Sequence, residues 1–419
     1  MKYFNRITII GITALLSATV LLNCTKEVKK DALVERNGLM YEVNSDKPFS
    51  GKAVYAYDVT SYKDGKKHGH DIDFYGESKT RDILFKDGEV QVIKEWYKNG
   101  QQKYEESQKD GKLHGLKKLW FENGQIEAEA PFNDGNFQGS VKMWYENGHQ
   151  KSEENFKQGI SHGLSKGWYE DGQLKYEGNY KDGKLDGLKK IWAENGQIES
   201  EATFKEGEGH GLLKKWFENG QIESEATLKE GEVHGLNKEW YENGQQRLEA
   251  SYKDDKLDGL KKVWYENEQL NYKIEFTEGK PDGVYLSWYE NGQNHFESEF
   301  KHGEISGSYI SWYENGQKHV EIENITGGQF EDDIAIAVCM FVLSDDEIVW
   351  DNSLKSKYEL HGIYQNWYEN GQLRIEANFI YGKLDGLLRT WHEDGRLKSE
   401  SIFKNGLVVS SPTEKLPDF

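Results

Sequence analysis

Gly115 to Gly139 reads GLKKLWFENGQIEAEAPFNDGNFQG, two short alternating segments around Asn123-Gly124 followed by a second glycine-bearing turn. Asn-Gly between alternating segments is the strongest short-range hairpin signal, because a type I′ turn needs positive φ at both central residues. The pair recurs at Asn99, Asn147, Asn195, Asn219, Asn243, Asn291, Asn315 and Asn370, each followed by glycine, and as Asp171-Gly172 and Asp394-Gly395. Asn267 is followed by Glu268 instead, so that turn is expected to be strained or longer. Between units lies a second reversal, such as Asp182-Gly183-Lys184-Leu185-Asp186-Gly187, where glycine supplies the backbone freedom. Strand, turn, strand, turn reads as a continuous antiparallel meander.

The unit repeats on a fixed ruler. Trp96, Trp120, Trp144, Trp168, Trp192, Trp216, Trp240, Trp264, Trp288 and Trp312 stand 24 residues apart, as do Trp367 and Trp391. A period of that size means that each unit buries its apolar surface by stacking on its neighbours. The fold class is therefore all-β, an elongated antiparallel meander of tandem ~24-residue β-hairpins in a single twisted repeat sheet. A dozen units, each advancing two strand spacings, would extend roughly 110 to 130 Å.

A two-residue turn at Asn123-Gly124 places Phe121 opposite Ile126, Trp120 opposite Glu127 and Lys118 opposite Glu129. Parity then separates two faces. One carries Leu119, Phe121, Ile126, Ala128 and Phe132, with equivalents Tyr169, Leu174, Tyr180, Tyr241, Leu248 and Tyr252 elsewhere. The other carries the tryptophans among Lys118, Glu122, Glu127 and Glu129, where cation–π contact with lysine is expected. The twelve period-24 tryptophans make that face the candidate interaction surface.

By the same register Lys118, Lys142, Lys166, Lys190, Lys214 and Lys238 face Glu129, Glu153, Glu177, Glu201, Glu225 and Glu249. An exposed cross-strand pair gives roughly 0.2 to 1 kcal/mol, so the ladder acts on register. Acid–base catalysis needs one distinct site, and a motif copied in every unit makes none. No catalytic residue is expected. His68, His114, His162, His210, His234 and His361 each precede a glycine in the inter-unit turn, a slot filled elsewhere by Asp186, Asp258, Asp282 and Asp385. Units two strands apart, roughly 10 Å, cannot bring neighbouring histidines to one zinc ion, so turn chemistry is expected and neither metal nor other cofactor.

Met1 to Asn23 has basic Lys2 and Arg6 followed by an apolar stretch from Ile7 to Leu22, the pattern of a secretory signal. Leu21-Leu22-Asn23-Cys24 resembles a bacterial lipoprotein box, with Asn23 where such boxes usually carry Gly or Ala. The resemblance implies that Cys24 is acylated and anchors an exported chain in the cell envelope. With Cys24 used so, Cys339 alone leaves no intramolecular disulfide framework. The formal net charge of −20 repels phosphate backbones and anionic headgroups, which excludes a nucleic-acid binder.

The domain plan follows: a signal peptide at 1–23, a tether and the start of a first degenerate unit at 24–46, tandem repeats at 47–326, a degenerate hairpin or insertion at 327–357, further repeats at 358–406 and a tail at 407–419. Atypical ends are expected where terminal units cap an open edge. Lys47 to Tyr55 reads as an opening strand and Tyr62 to Gly69 as the usual inter-unit turn. The second break holds the most apolar run of the mature chain, Ala335 to Leu343, then Ser344-Asp345-Asp346 and Glu347 to Trp350. Cys339 there has no unique histidine and acid beside it, so it is no nucleophile. A diverged repeat with a longer loop and a docking surface both remain open for this segment.

Trp-Tyr-Glu-Asn-Gly-Gln, a glutamate, Phe-Lys-x-Gly and His-Gly together resemble the bacterial MORN-variant repeat, over roughly Gly51 to Gly406. The resemblance implies tandem β-hairpins, and bacterial chains of this kind are often labelled antitoxin-like. Related MORN repeats act mainly as scaffolds and membrane-proximal interaction surfaces. The leading expectation is a non-enzymatic, lipid-anchored scaffold whose partner is an unknown protein. Two alternatives stand beside it: a cell-wall glycan or choline-type binder using the tryptophan face, and an antitoxin or immunity protein neutralising a toxin.

Overall fold

The computed structural model describes residues 26–329, 343–344, 347–348 and 358–411. The expected signal peptide, Cys24, the run from Ala335 to Val342 with Cys339, Trp350 and the residues from 412 onward lie outside the described residues. The chain divides into two compact units at Gly148.

In each unit strands that follow one another in sequence lie side by side in an open antiparallel sheet, and none pairs back to close a barrel. The N-terminal unit opens differently. Residues expected as a tether contain the strand Glu27–Lys29, which pairs parallel with Gly51–Tyr55, and a separate hairpin of Leu33–Arg36 with Leu39–Glu42. Regular hairpins follow, from Asp58–Lys63 to Gly139–Trp144.

The Asn-Gly turn is not the type I′ turn expected of it. At Asn123-Gly124 only the glycine has positive φ, +88°. Gly124 N donates to Phe121 O and Phe121 N to Gln125 O, each at 2.9 Å, the pattern of a type I turn closed by a glycine bulge. Asparagine is there for its side chain: Asn123 Oδ1 accepts from Gln125 N at 2.8 Å, and Nδ2 donates to Glu146 O of the next unit at 3.0 Å. The type I′ turns are the inter-unit ones, such as Asp182 (φ 51°) and Gly183 (φ 82°) between the paired Lys181 and Lys184. At Asn267 the turn keeps its length, with Glu268 N donating to Tyr265 O at 3.1 Å, and Glu268 takes φ 71° without glycine's freedom.

The bulge also resets the register. Lys118 faces Glu129 and Leu119 faces Ala128 as expected, but the ladder then slips and Trp120 faces Ile126, not Glu127. The slip recurs at Trp168, Trp192, Trp216 and Trp240. Ile126 and Leu174, expected with the apolar set, are therefore the cross-strand partners of tryptophans.

The other face is packed, and its density differs along the C-terminal unit. From Ile274 to Phe379 it forms a continuous core, with Ile274, Phe300, Ile305, Tyr309, Val320, Ile322, Ile325 and Leu360 at 1% exposure or less. Large and small residues alternate across the strands, as in Tyr285 opposite Ser298, Ser298 opposite Tyr309, and Tyr364 opposite Ala377. Such alternation fills one layer without voids.

In this core Lys318–Gln329 pairs directly with Tyr358–Trp367, from Val320 opposite Asn366 to Gly327 opposite Tyr358. The described part of the segment between them is a short pairing of Leu343 with Ile348 and Ser344 with Glu347.

Candidate interaction surfaces

The tryptophan face is built in parallel columns that cross the strands. Seven of the twelve strands that end in one of these tryptophans carry, at alternating positions, an apolar residue, a lysine and the tryptophan itself, as in Leu188, Lys190 and Trp192. Alternation puts all three on one face. Each tryptophan is half-buried at the strand end, opposite its partner two residues beyond the turn glycine. The twelve tryptophans named from the sequence are thus one to a unit, and none shares a hairpin with another.

Lys79 sits 4.4 Å from the Trp96 ring centroid and Lys318 5.6 Å from that of Trp367. Other cations sit on tyrosines. Lys175 lies over Tyr169 at 5.1 Å and Arg374 over Tyr368 at 5.3 Å, while the rings of His295 and His319 lie 4.3 Å from Tyr289 and Tyr313. All four are the residue that the bulge displaces from opposite the tryptophan. Their partner tyrosines anchor unit to unit: Tyr169 Oη donates to Trp192 O and Tyr289 Oη to Trp312 O, both at 2.7 Å.

The lysine–glutamate column runs as expected. Lys118–Glu129 spans 3.0 Å in the N-terminal unit; Lys166–Glu177, Lys190–Glu201, Lys214–Glu225 and Lys238–Glu249 span 3.6, 3.8, 2.9 and 3.7 Å in the other. Glu249 also meets Lys262 of the next unit at 3.2 Å. Burial pushes its carboxyl up, but Lys262, Gln246 and Lys238 outweigh that and hold it below the usual carboxylate range. The column breaks where Lys262 faces Lys273 and Lys273 faces Leu286.

One column was missed in the sequence reading. Leu164, Leu188, Leu212 and Leu236 each stand at the middle of their strand, exposed to 43%, 46%, 43% and 43%. The signal was present as leucine four residues before each tryptophan, but two positions from a lysine it read as part of a solvated strand. Val284 and Ile363 continue the slot in the same unit.

The turn edge is polar. His162 lies 3.5 Å from Asp182 and His234 3.2 Å from Asp254, the aspartates being those of the next type I′ turn. Where aspartate fills the histidine slot it caps the turn instead, Asp385 accepting from Asn405 N at 3.2 Å and Lys404 Nζ at 2.9 Å. Among the described residues no group of three or more His, Cys, Asp or Glu is placed to hold a metal ion, and no helix is long and apolar enough to cross a membrane.

A comparison with curated proteins found no match. Among solved structures the chain is similar to "Crystal Structure of TcdB2-TccC3-TEV" at 10% identity and a TM-score of 0.15, covering 84% of this chain and 18% of that one. It is also similar to "Crystal Structure of TcdB2-TccC3-Cdc42" at 10% identity and a TM-score of 0.12, covering 85% and 23%. The chain spans under a quarter of the length of either, and superpositions of that quality carry no argument about this fold. The family comparison is different in kind. The model described as "MORN repeat variant" matches residues 113–134, 137–158, 161–182, 185–206, 209–230, 233–254, 257–278, 281–302, 360–381 and 384–405, more than half of the sequence. With its hairpins, turns and tryptophans recurring through those matches, the chain belongs to the MORN repeat variant family.

Proposed function

We propose that this chain is a non-enzymatic repeat scaffold that docks a protein on its tryptophan face and is held in the bacterial envelope by acylation of Cys24. The observation that supports the reading best is the exposed column of Leu164, Leu188, Leu212 and Leu236, equally exposed in four successive hairpins. Each leucine faces a polar residue of its hairpin, Asn179, Thr203, Thr227 and Ser251 in turn, so the column is a row of separate apolar points among polar side chains, an arrangement in which a partner finds anchors with hydrogen bonds between them. Successive leucines stand two strand spacings apart, roughly 9.5 Å, so the surface suits a rigid partner with apolar groups at that interval. A net charge of −20 favours a partner with a basic rim and disfavours anionic lipid as the bound species.

A photo-crosslinking residue placed at Leu212 in the native cells tests the site. The expected result is one discrete adduct with a basic protein that then binds the purified chain at fixed stoichiometry, and at least tenfold more weakly after Leu188→Ser with Leu212→Ser. No adduct, or binding indifferent to the double substitution, removes the reading. The anchor is tested separately by fractionation: Cys24→Ser should move the protein out of the membrane fraction.

A further inference from the structure

On the packed face of the C-terminal unit a hollow opens around the hairpin from Ile160 to Lys181. In that hairpin two packed-face positions are glycines, Gly167 opposite Tyr176 and Gly178 opposite Ser165; the Tyr176 ring takes the room over Gly167, and Leu185 with Lys189 that over Gly178. Elsewhere the same slots hold pairs such as Ile191 with Ala202, or Val263 with Ile274. A volume of about 330 Å³ opens there, lined by Glu154, Ser165, Tyr176, Tyr180, Lys189 and Ile191 among others. Small-molecule sites begin at roughly that size, about 300 Å³.

The floor is an aromatic ring. Tyr176 is directly opposite Gly167, and a Cβ on Gly167 would fall inside the Tyr176 ring. Gly167 thus makes room for the ring of Tyr176, which lines the hollow together with its hydrogen-bond partner Ser165. The rim is polar and of both signs: Glu154 supplies acceptors, Lys189 donors, and the nearly buried Ser165 both. A ligand complementary to this site has one flat C–H-rich face and hydroxyls around its edge. Pyranose sugars have that form.

We propose that this hollow binds a short saccharide of one or two pyranose rings, stacked on Tyr176 and hydrogen-bonded at its edge by Glu154, Ser165 and Lys189. The site lies on the face opposite the leucine and tryptophan columns, so it is independent of the protein-docking reading and of the tryptophan side chains. One polar, open hollow of this size gives weak binding, in the millimolar range or somewhat tighter.

Saturation-transfer NMR on the full chain, with chitobiose, cellobiose and maltose as probes, tests the assignment. At least one of the three should show transfer to its ring C–H protons. Tyr176→Ala should weaken that binding at least tenfold. Gly178→Leu should abolish it by filling the hollow; Gly178 has no positive φ, and a Cβ there meets Leu185 Cδ2 at 3.3 Å and Lys189 Cγ at 3.5 Å, a tight but yielding contact. Leu212→Ser on the other face should leave it unchanged, and Glu154→Gln, which removes no volume, should weaken it with the fold intact. Absence of transfer from all three probes overturns the proposal. So does transfer that survives both Tyr176→Ala and Gly178→Leu.

Discussion

Tyr313 and Trp367 are 54 residues apart in sequence, yet Tyr313 Oη donates to Trp367 O at 2.9 Å, the same bond that joins Tyr289 to Trp312 across 23 residues. Asn315 Nδ2 repeats the relation on Glu369 O at 2.8 Å. The hairpins on either side of residues 330–357 are therefore consecutive rungs. Tyr313→Phe deletes only the hydroxyl and leaves the Trp367 carbonyl unpaired at that site. Loss of one such bond costs about 0.5 to 1.5 kcal/mol. Denaturant unfolding of the variant should show that loss, and the same loss at Tyr289→Phe, because the two rungs are equivalent.

Continuity of the rungs makes the intervening segment removable. Gly327 and Tyr358 are directly opposed, as Lys181 and Lys184 are around Asp182-Gly183. Replacing 328–357 by a two-residue Asp-Gly turn should preserve the repeat sheet, since type I′ geometry joins directly opposed residues. Far-UV circular dichroism per residue should be unchanged or raised. A collapse of strand signal would mean that the segment holds the core from Ile274 to Phe379 in place.

Much of this was legible beforehand, and the failures share one physical origin. The 24-residue ruler fixed the meander, and Lys118 opposite Glu129 fixed the pairing at mid-strand, because parity is counted reliably where the chain is extended. Next to the turn the count failed. Asn123-Gly124 allows either a two-residue type I′ turn or a type I turn with a glycine bulge, and the choice moves one residue across the sheet. Asn123 decides it by bonding Gln125 N and the next unit's Glu146 O, a contact between units that no single repeat displays. The hollow beside Gly167 was hidden for a related reason: that Gly167 meets Tyr176 and Gly178 meets Ser165 is seen only once the register is known. The leucine column needed only the parity already in hand.

Glu268 tests the turn assignment. It alone fills the bulge glycine's slot with a side chain, at φ 71°, while Gly244 and Gly292 hold φ 86° and 83° in the flanking turns. A non-glycine residue there costs about 1 to 2 kcal/mol, partly offset by glycine's greater unfolded-state entropy and by the exposed Gln245 Nε2 bond to Glu268 Oε1 at 2.6 Å. Glu268→Gly should stabilise the protein by about 0.5 to 1 kcal/mol on balance, read as a higher denaturant midpoint. A neutral or destabilising result would show that the Gln245 contact outweighs the backbone strain.

His295 and His319 make stability depend on pH in a stated direction. Each is the bulge residue of its hairpin, stacked on Tyr289 or Tyr313 with ring centroids 4.3 Å apart. Burial holds both imidazoles below the ordinary value of 6.5, and Arg374 adds to the effect at His319. Above that value folded and unfolded chains alike carry them neutral, and their contribution to stability is fully present. As pH falls below it the unfolded chain takes up protons that the folded one resists, so stability falls through the interval down to the folded pKa. His295→Phe keeps a ring on Tyr289 and removes the titration. The variant should therefore lose less stability than the parent between about pH 7.5 and pH 5, measured as the difference between denaturant midpoints at the two values. An equal loss in both would mean that His295 titrates alike in the folded and unfolded chains, and that the stacked ring is as open to protons as water leaves it.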